Sequence, residues 1–234
     1  MEKIIKTNAK LIITDFGFLD EDPNKWWMHE YTDNFLVYDR QKRFTENDRV
    51  KHQENVGCNI FDIFDFITNN YDDLPEIMVF CKGNVMPRHC GKEKFDSIVN
   101  NKEFTTIENY IRESPRYSPN IYAYVDDDDG YHENPIEVDN TVFLIHPSKY
   151  IFSYMGLLSE IYENPTIGKY IRFAPGGNHL ITKKDVLTYN KTFYEKMRDV
   201  VSWHPRPGEA FLLERALYTL YNNNFDIKQK YKNL

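Results

Sequence analysis

The densest group of potential metal ligands in this sequence is an acidic run at residues 126–129, followed by Gly130. It comes directly after the apolar run 121–125, which has the composition of a buried strand. Ligands of open α/β sheets bind beyond the carboxyl ends of strands, and carboxylate oxygens suit Mg²⁺ or Mn²⁺. The run therefore indicates a divalent-metal site formed by Asp127 and Asp129. A solvated acidic turn is the alternative, because Asp and Gly also favour turns.

A second group of interest is the glycine-containing segment 172–179, which includes Gly176, Gly177 and Asn178. Glycines allow a ligand to come close to the backbone, and an amide side chain can hydrogen-bond to hydroxyl groups. This composition predicts a loop that contacts a sugar. The alternative is an ordinary turn that leads into the next helix.

Two carboxylates, Glu209 and Glu214, lie on a predicted helix that starts near Pro207. At 100° per residue, Glu214 falls within the apolar stripe, so we expect it to be buried with a partner. Glu209 lies in the first turn, where the helix dipole favours a negative charge. It is predicted to be a general base at the edge of a cleft, with Glu214 as the second candidate.

Basic and aromatic side chains supply the remaining candidate ligand contacts. Lys82 and Arg88 follow the apolar run 76–81 and could offset the charge of a diphosphate, although a plain basic loop is equally consistent with them. Three tryptophans are candidates to stack on sugar rings: Trp26, Trp27 and Trp203.

The elements that must position these side chains are predicted from apolar periodicity. Uninterrupted apolar runs are typical of strands covered on both faces, and five such runs occur at 11–15, 35–39, 76–81, 121–125 and 142–145. Helices are predicted around 60–67, from the N-cap residue Thr182 to about Val200, and from Pro207 to about Tyr221. The polar tail after about 222 is expected to fray. Residues 1–234 are thus predicted to form one α/β domain with a mixed, mostly parallel sheet flanked by helices.

Composition narrows the possible functions. The chain has 234 residues, a formal net charge of −7 and no long basic run, which argues against a nucleic-acid partner. The odd number of cysteines, 3, argues against a disulfide framework and for a reducing compartment. Neither a signal peptide nor a stretch of ~20 apolar residues is present, so we expect a soluble, cytoplasmic protein without a membrane span.

Several segments resemble a known family. They are LIITDFGFLD at 11–20, QENVGCNIFDIFDF at 53–66 with YDDLPEIMVF at 71–80, and YIRFAPGGN at 170–178 with the helix 208–220. These segments resemble the small glycosyltransferase domain that chlorella viruses encode for decorating their capsid glycans. They also resemble a wider set of glycosyltransferase-like domains of unassigned function. The similarity spans most of the chain and is weakest over 100–150.

The resemblance implies a GT-A-type fold, a UDP-sugar donor, and Mn²⁺ (or Mg²⁺) held by a DxD-like pair of carboxylates. A glycan or glycoprotein would be the acceptor, in the host cytoplasm if the chain is viral. The residues that stand in the family's order are Asp15 near the nucleotide, Asp127 and Asp129 at the metal, Gly176, Gly177 and Asn178 at the donor sugar, and Glu209 as the base. Asp72 and Asp73 are a competing metal pair.

Two other functions are compatible with the same residues. A metal-dependent phosphohydrolase or nuclease would use the same carboxylates on a phosphate ester without a sugar acceptor. A non-catalytic carbohydrate-binding module on a transferase fold would bind glycans without a nucleotide or a metal.

Overall fold

The computed structural model describes residues 6–108, 123–126 and 130–233. Nine strands occur in these ranges: β1 (Lys10–Asp15), β2 (Phe35–Asp39), β3 (Val50–His52), β4 (Ile77–Lys82), β5 (Thr105–Thr106), β6 (Ala123–Asp126), β7 (Gly130–Glu133), β8 (Ile171–Arg172) and β9 (His179–Thr182). The α-helices are α1 (Cys58–Asn70), α2 (Val85–Arg88), α3 (Lys92–Ile98), α4 (Pro135–Ile145), α5 (Tyr154–Ile161), α6 (Lys183–Val186), α7 (Lys191–Val201) and α8 (Gly208–Asn222).

The main sheet has six strands in the order β3-β2-β1-β4-β9-β5. Strands β1 to β4 are mutually parallel, and β9 runs antiparallel between β4 and β5. A second sheet contains β6, β7 and β8, all antiparallel. The prediction of an α/β body with a mixed, mostly parallel sheet flanked by helices is confirmed.

Both faces of the main sheet are covered, which explains its uninterrupted apolar strands. On one face, Ile12, Met78 and Phe80 pack in a core that includes residues of α1, α5, α7 and α8. On the other face, alternate strand residues such as Leu11 and Val79 pack with α3 and with the aromatic segment 26–31. Successive side chains of a strand point to opposite faces of the sheet, so the sheet contributes residues to two separate cores.

Most of the predicted elements are present. The runs at 11–15, 35–39 and 76–81 lie in β1, β2 and β4, and the helices around 60–67 and from Pro207 are α1 and α8. The run at 121–125 overlaps β6, and its first two residues lie outside the described ranges. Thr182 caps α6 as expected, because its Oγ1 accepts a hydrogen bond from Asp185 N while the Asp185 carboxylate accepts one from Thr182 N.

The predicted strand at 142–145 is wrong, since these residues form the end of helix α4. A short apolar run does not distinguish a buried strand from a buried helix. Pro135 stands at the first position of this helix, where its fixed φ and missing N–H are well tolerated.

Two further expectations need correction. The helix predicted from Thr182 to Val200 is interrupted, because α6 ends at Val186 and Asn190 caps a separate helix, α7. Residues 223–233, which the sequence predicts to fray, instead pack against the rest of the protein. Tyr231 is only 3% exposed, and Lys232 forms a β-bridge with Tyr189. In the described part of the chain, no helix has the length and apolar character needed to cross a membrane.

Candidate functional site

A cleft of about 300 Å³ opens at the carboxyl edge of the parallel strands β1 and β4. Phe16 follows β1 and Lys82 ends β4, while α1 and α8 close the sides. This is where the topology of an open α/β sheet places a ligand. The cleft is lined by Phe16, Asn55, Cys58, Asn59, Lys82, Pro205, Arg206, Phe211 and Glu214.

The predicted glycine loop lies against this cleft as a 3₁₀ turn, Pro175–Gly177. Gly176 has φ = 71° and Gly177 has φ = 66°, conformations that favour glycine. The Gly176 peptide is held on both sides: its N–H donates to Glu214 Oε1 at 2.9 Å, and its C=O accepts from Asn59 Nδ2 at 2.8 Å. The turn is therefore fixed between α8 and α1.

Gly176 also has a steric role. A Cβ atom at this position would lie 2.7 Å from Asn178 Nδ2 and 2.8 Å from His89 Cε1. The absence of a side chain thus lets the segment after β4 pack directly against the glycine turn.

Asn178 joins this turn to the end of β4. Its Oδ1 accepts from Lys82 N at 3.0 Å, and its Nδ2 donates to Pro175 O at 3.0 Å. The side chain is completely buried. Asn178 therefore shapes the cleft through the backbone of its neighbours, whereas the sequence predicted a direct contact with the sugar.

The burial of the two candidate bases is the reverse of the sequence expectation. Glu209 is 1% exposed, and its Oε1 accepts hydrogen bonds from Lys149 N and Tyr150 N, each at 2.7 Å. Glu214 is partly exposed and lines the cleft. Helical periodicity placed Glu214 on the buried stripe. The segment that contacts α8 next to Glu214 is the polar glycine turn, whose Gly176 N–H binds the carboxylate. Glu209 anchors the loop before α5, and Glu214 faces the candidate site.

Two cations reach the cleft without a carboxylate partner in the described ranges. Lys82 Nζ and the Arg206 guanidinium have no ion pair there, and Arg206 lies over the Phe211 ring with Cζ 5.9 Å from the centroid. Arg88, the other predicted cation, is exposed on the short helix α2 and does not line the cleft. Only one of the two predicted basic residues is thus brought to the site.

Asp15 lies at the end of β1 as predicted, but its side chain is completely buried. Its Oδ1 accepts from Phe18 N at 2.8 Å, and its Oδ2 pairs with Arg43 Nη2 at 2.7 Å. Gly83 covers the carboxylate so closely that a Cβ there would lie 2.7 Å from Asp15 Oδ1. These contacts make Asp15 an anchor for the segment after β1.

The other carboxylates at this edge of the sheet are also engaged. Asp39 accepts from Gln41 N and Phe44 N, at 3.0 and 2.8 Å. Asp62, on α1, forms a bidentate pair with Arg40 and accepts from Thr14 Oγ1 at 2.6 Å. Burial raises the pKa of Asp62 to about 6 despite the opposing effect of Arg40. This pair holds the first turns of α1 against β1 and β2.

The two carboxylate pairs predicted to bind a metal differ in whether the structure describes them. Asp127 and Asp129 lie outside the described residues. Within 6–108, 123–126 and 130–233, no group of three or more His, Cys, Asp or Glu side chains could hold a metal ion. The competing pair, Asp72 and Asp73, forms a turn before the start of β4, at the opposite edge of the sheet from the cleft. The described cleft residues therefore do not fit a divalent metal, and the predicted pair stays a prediction.

The electrostatic surroundings of the cleft are mixed. Burial, followed by the charge of Glu214, raises the pKa of the Cys58 thiol. Beside the cleft, burial and then the positive charges of Arg206 and Arg215 lower the pKa of His146. His146 stacks on Phe211, with ring centroids 3.7 Å apart. The lining thus carries one carboxylate, Glu214, together with the cations Lys82 and Arg206.

The tryptophans proposed to stack on sugars do not line this cleft. Trp26 is 3% exposed and packs edge-on against Phe44, with centroids 4.9 Å apart. Trp27 donates from Nε1 to Gly83 O at 3.0 Å. Both rings therefore support the segments around the site, and Phe16 and Phe211 are the aromatic rings that line it.

Sequence reasoning missed the contributions of Asn59 and Arg206. Asn59 lies in the first turn of α1, and its burial at 3% exposure is explained by its bond to the glycine turn. Arg206 lies between two prolines directly before α8. Because α1 also carries Asp62 and Asp65, the sequence alone does not distinguish Asn59 as a residue of the site.

The cleft thus combines a carboxylate, two cations and two aromatic rings beside a hydrogen-bonded glycine turn, at the carboxyl edge of the parallel strands. A scan against models of protein families, a search of curated proteins and a search of solved structures each found no match to this chain.

Proposed function

We propose that the protein transfers a sugar from a nucleoside-diphosphate sugar, with UDP as the expected nucleotide, to a hydroxyl group of a glycan. The observation that carries the proposal is the cleft at the carboxyl edge of β1 and β4, which is lined by Glu214, a carboxylate hydrogen-bonded to the glycine turn. A doubly wound sheet binds nucleotides at this edge. The GT-A-type fold implied by the sequence resemblance is part of the same proposal, supported by the order β3-β2-β1-β4 of parallel strands.

Each group has a defined task in this proposal. Lys82 and Arg206 attract the diphosphate, and Phe16 and Phe211 offer apolar faces to flat rings. Glu214 accepts the proton of the acceptor hydroxyl. The acceptor oxygen forms a bond to the anomeric carbon as the bond from that carbon to the diphosphate oxygen breaks. UDP leaves with the electron pair of that bond.

The test is release of UDP from a panel of UDP-sugars in the presence of mono- and oligosaccharide acceptors, with the product detected by mass spectrometry. Glu214→Gln should lower transfer roughly 10²–10⁴-fold, because the amide cannot take the proton. Glu195→Gln on α7, which makes the same change outside the cleft, is the matched control.

Different results would point to the two other functions. Cleavage of a generic phosphodiester without sugar transfer would support a phosphohydrolase. Binding of glycans without any UDP release across the panel would support a carbohydrate-binding module. Either result would overturn the transferase proposal.

A further inference from the structure

The charges of the cleft lead to an inference about how the diphosphate is held, and it rests on the proposed function. A diphosphate in a cleft needs positive charge around it, which a divalent metal or basic side chains can supply.

A metal held at this edge would need several carboxylate oxygens facing the cleft. The described carboxylates do not offer them. Asp15 is bound to Arg43 and the backbone, Asp39 to two backbone N–H groups, and Asp62 to Arg40 and Thr14. Glu214 remains, and one of its oxygens already accepts from Gly176 N.

Basic side chains, in contrast, are available. Lys82 ends β4 at the centre of the carboxyl edge, and Arg206 enters from the loop before α8, so the two cations approach the same cleft from different elements. Neither has a carboxylate within ion-pair distance among the described residues. The backbone N–H of Lys82 donates to Asn178 Oδ1 at 3.0 Å, so the residue that helps to hold the glycine turn also holds the backbone from which the Lys82 side chain extends.

We infer that Lys82 and Arg206 bind the diphosphate of the nucleotide directly, so that the nucleotide binds without a divalent metal. Arg206 provides a planar, fork-shaped donor for two phosphate oxygens, and Lys82 provides a compact charge. Glu214 lines the same cleft from α8, and its negative charge does not bind a diphosphate, which leaves the carboxylate to the acceptor.

The experiment measures the affinity of the full chain for UDP by calorimetry, in EDTA and then in Mn²⁺ or Mg²⁺. We expect Kd values in EDTA and in Mn²⁺ that agree within about threefold. Lys82→Met should weaken UDP binding about tenfold or more, the usual effect of losing one charge-assisted hydrogen bond, and Arg206→Gln should act similarly.

Two controls isolate the diphosphate contact. Arg88→Gln removes a positive charge from the neighbouring helix α2 without touching the cleft, and it should leave the affinity unchanged. Uridine, which lacks the diphosphate, should bind wild type and Lys82→Met equally, and this would show that the variant keeps its cleft.

The outcomes separate this inference from the proposed function. UDP binding that occurs only with Mn²⁺, or that is weakened as much by Arg88→Gln as by Lys82→Met, would overturn the inference and leave sugar transfer standing. Metal-independent UDP binding without transfer would support the inference and count against the transferase. Failure to bind UDP under both conditions would overturn both.

Discussion

At the scale of single residues, hydrogen-bond partners decide what a carboxylate on α8 can do. Glu209 and Glu214 stand on the same helix, yet one is enclosed by backbone N–H groups and the other borders a cleft. The carboxylate of Glu209 completes the loop at 149–151, where Ile151 N also approaches it at 3.4 Å. Because Glu209 is buried, its carboxylate serves to hold this loop in position.

Glu209→Ala should therefore lower the free energy of unfolding by about 3 kcal/mol or more, because buried N–H groups lose a charged acceptor. Chemical denaturation measures this change. The matched variant on the same helix, Glu214→Ala, should cost less than about 1 kcal/mol, since water can reach the groups it leaves. A Glu209→Ala protein as stable as wild type would show that the loop does not depend on this carboxylate.

His179 is a second residue whose surroundings fix its chemistry. Its ring lies between Phe80 and Phe104, with centroids 5.3 and 5.2 Å away, and is completely buried. Nδ1–H donates to Gly177 O at 3.0 Å, and Nε2 has no partner in the described part of the chain. Burial lowers the pKa of His179 from 6.5 to about 4, so the ring is neutral in the folded protein.

Between pH 4 and 6.5 this histidine is protonated in the unfolded chain but neutral in the folded protein. Its contribution to the free energy of unfolding is therefore complete above pH 6.5 and is lost as the pH falls towards about 4. At about 1.4 kcal/mol per pKa unit, the full loss is about 3 kcal/mol. We expect the free energy of unfolding of His179→Gln, measured by urea denaturation, to rise relative to that of wild type by about this amount as the pH falls from 6.5 to 4. Asp62 is present in both proteins, so its opposite pH dependence cancels in the comparison.

Equal pH dependence in wild type and His179→Gln would contradict the assignment of a buried neutral imidazole.

At the scale of elements, the segment after α8 is held by specific contacts. Asn190 N donates to Tyr231 O at 2.9 Å, Tyr231 OH donates to Glu160 Oε1 at 2.9 Å, and its ring packs edge-on against Phe193. The segment thus joins α5 to the start of α7. The sequence of this segment did not indicate its packing, because the segment is mostly polar and Tyr231 is the one aromatic residue buried in its described part.

Removal of residues 223–234 should lower the melting temperature by several degrees or more, because burying one large aromatic side chain contributes about 1.5–3 kcal/mol. Differential scanning calorimetry on the truncated chain tests this. A chain that ends at Lys232 keeps Tyr231 and its contacts, so it should melt like the full chain. Equal melting of all three proteins would mean that the segment does not stabilise the fold.

The elements also show what the sequence could and could not reveal. Apolar runs identified β1, β2 and β4, because a strand covered on both faces needs apolar residues at every position. The run at 142–145 is equally apolar and is helical, since its length does not separate the two states. Helical periodicity gave the relative angle of Glu209 and Glu214. It did not give the neighbours, because the loop at 149–151 and the glycine turn reach α8 from distant parts of the chain.

At the scale of the whole molecule, the site is assembled from segments far apart in sequence. The glycine turn is bonded to α1 through Asn59, to α8 through Glu214 and to β4 through Asn178. A local pattern can identify each segment alone, but only the fold shows that they meet. This is why the sequence could point to the carboxyl edge of the sheet as the place for a candidate site, but not to Arg206 and Asn59 as residues that line it.

The position of β9 has a consequence for biosynthesis. This strand fills the gap between β4 and β5, yet it follows β4 by about 100 residues of chain. A ribosome that adds about 5–20 residues per second needs roughly 5–20 s to deliver it. During that interval one side of β4 presents unpaired N–H and C=O groups beside apolar side chains, the type of edge on which nascent chains associate. The yield of folded protein should therefore depend on the speed of translation between β4 and β9, and on chaperones that cover this edge until β9 arrives.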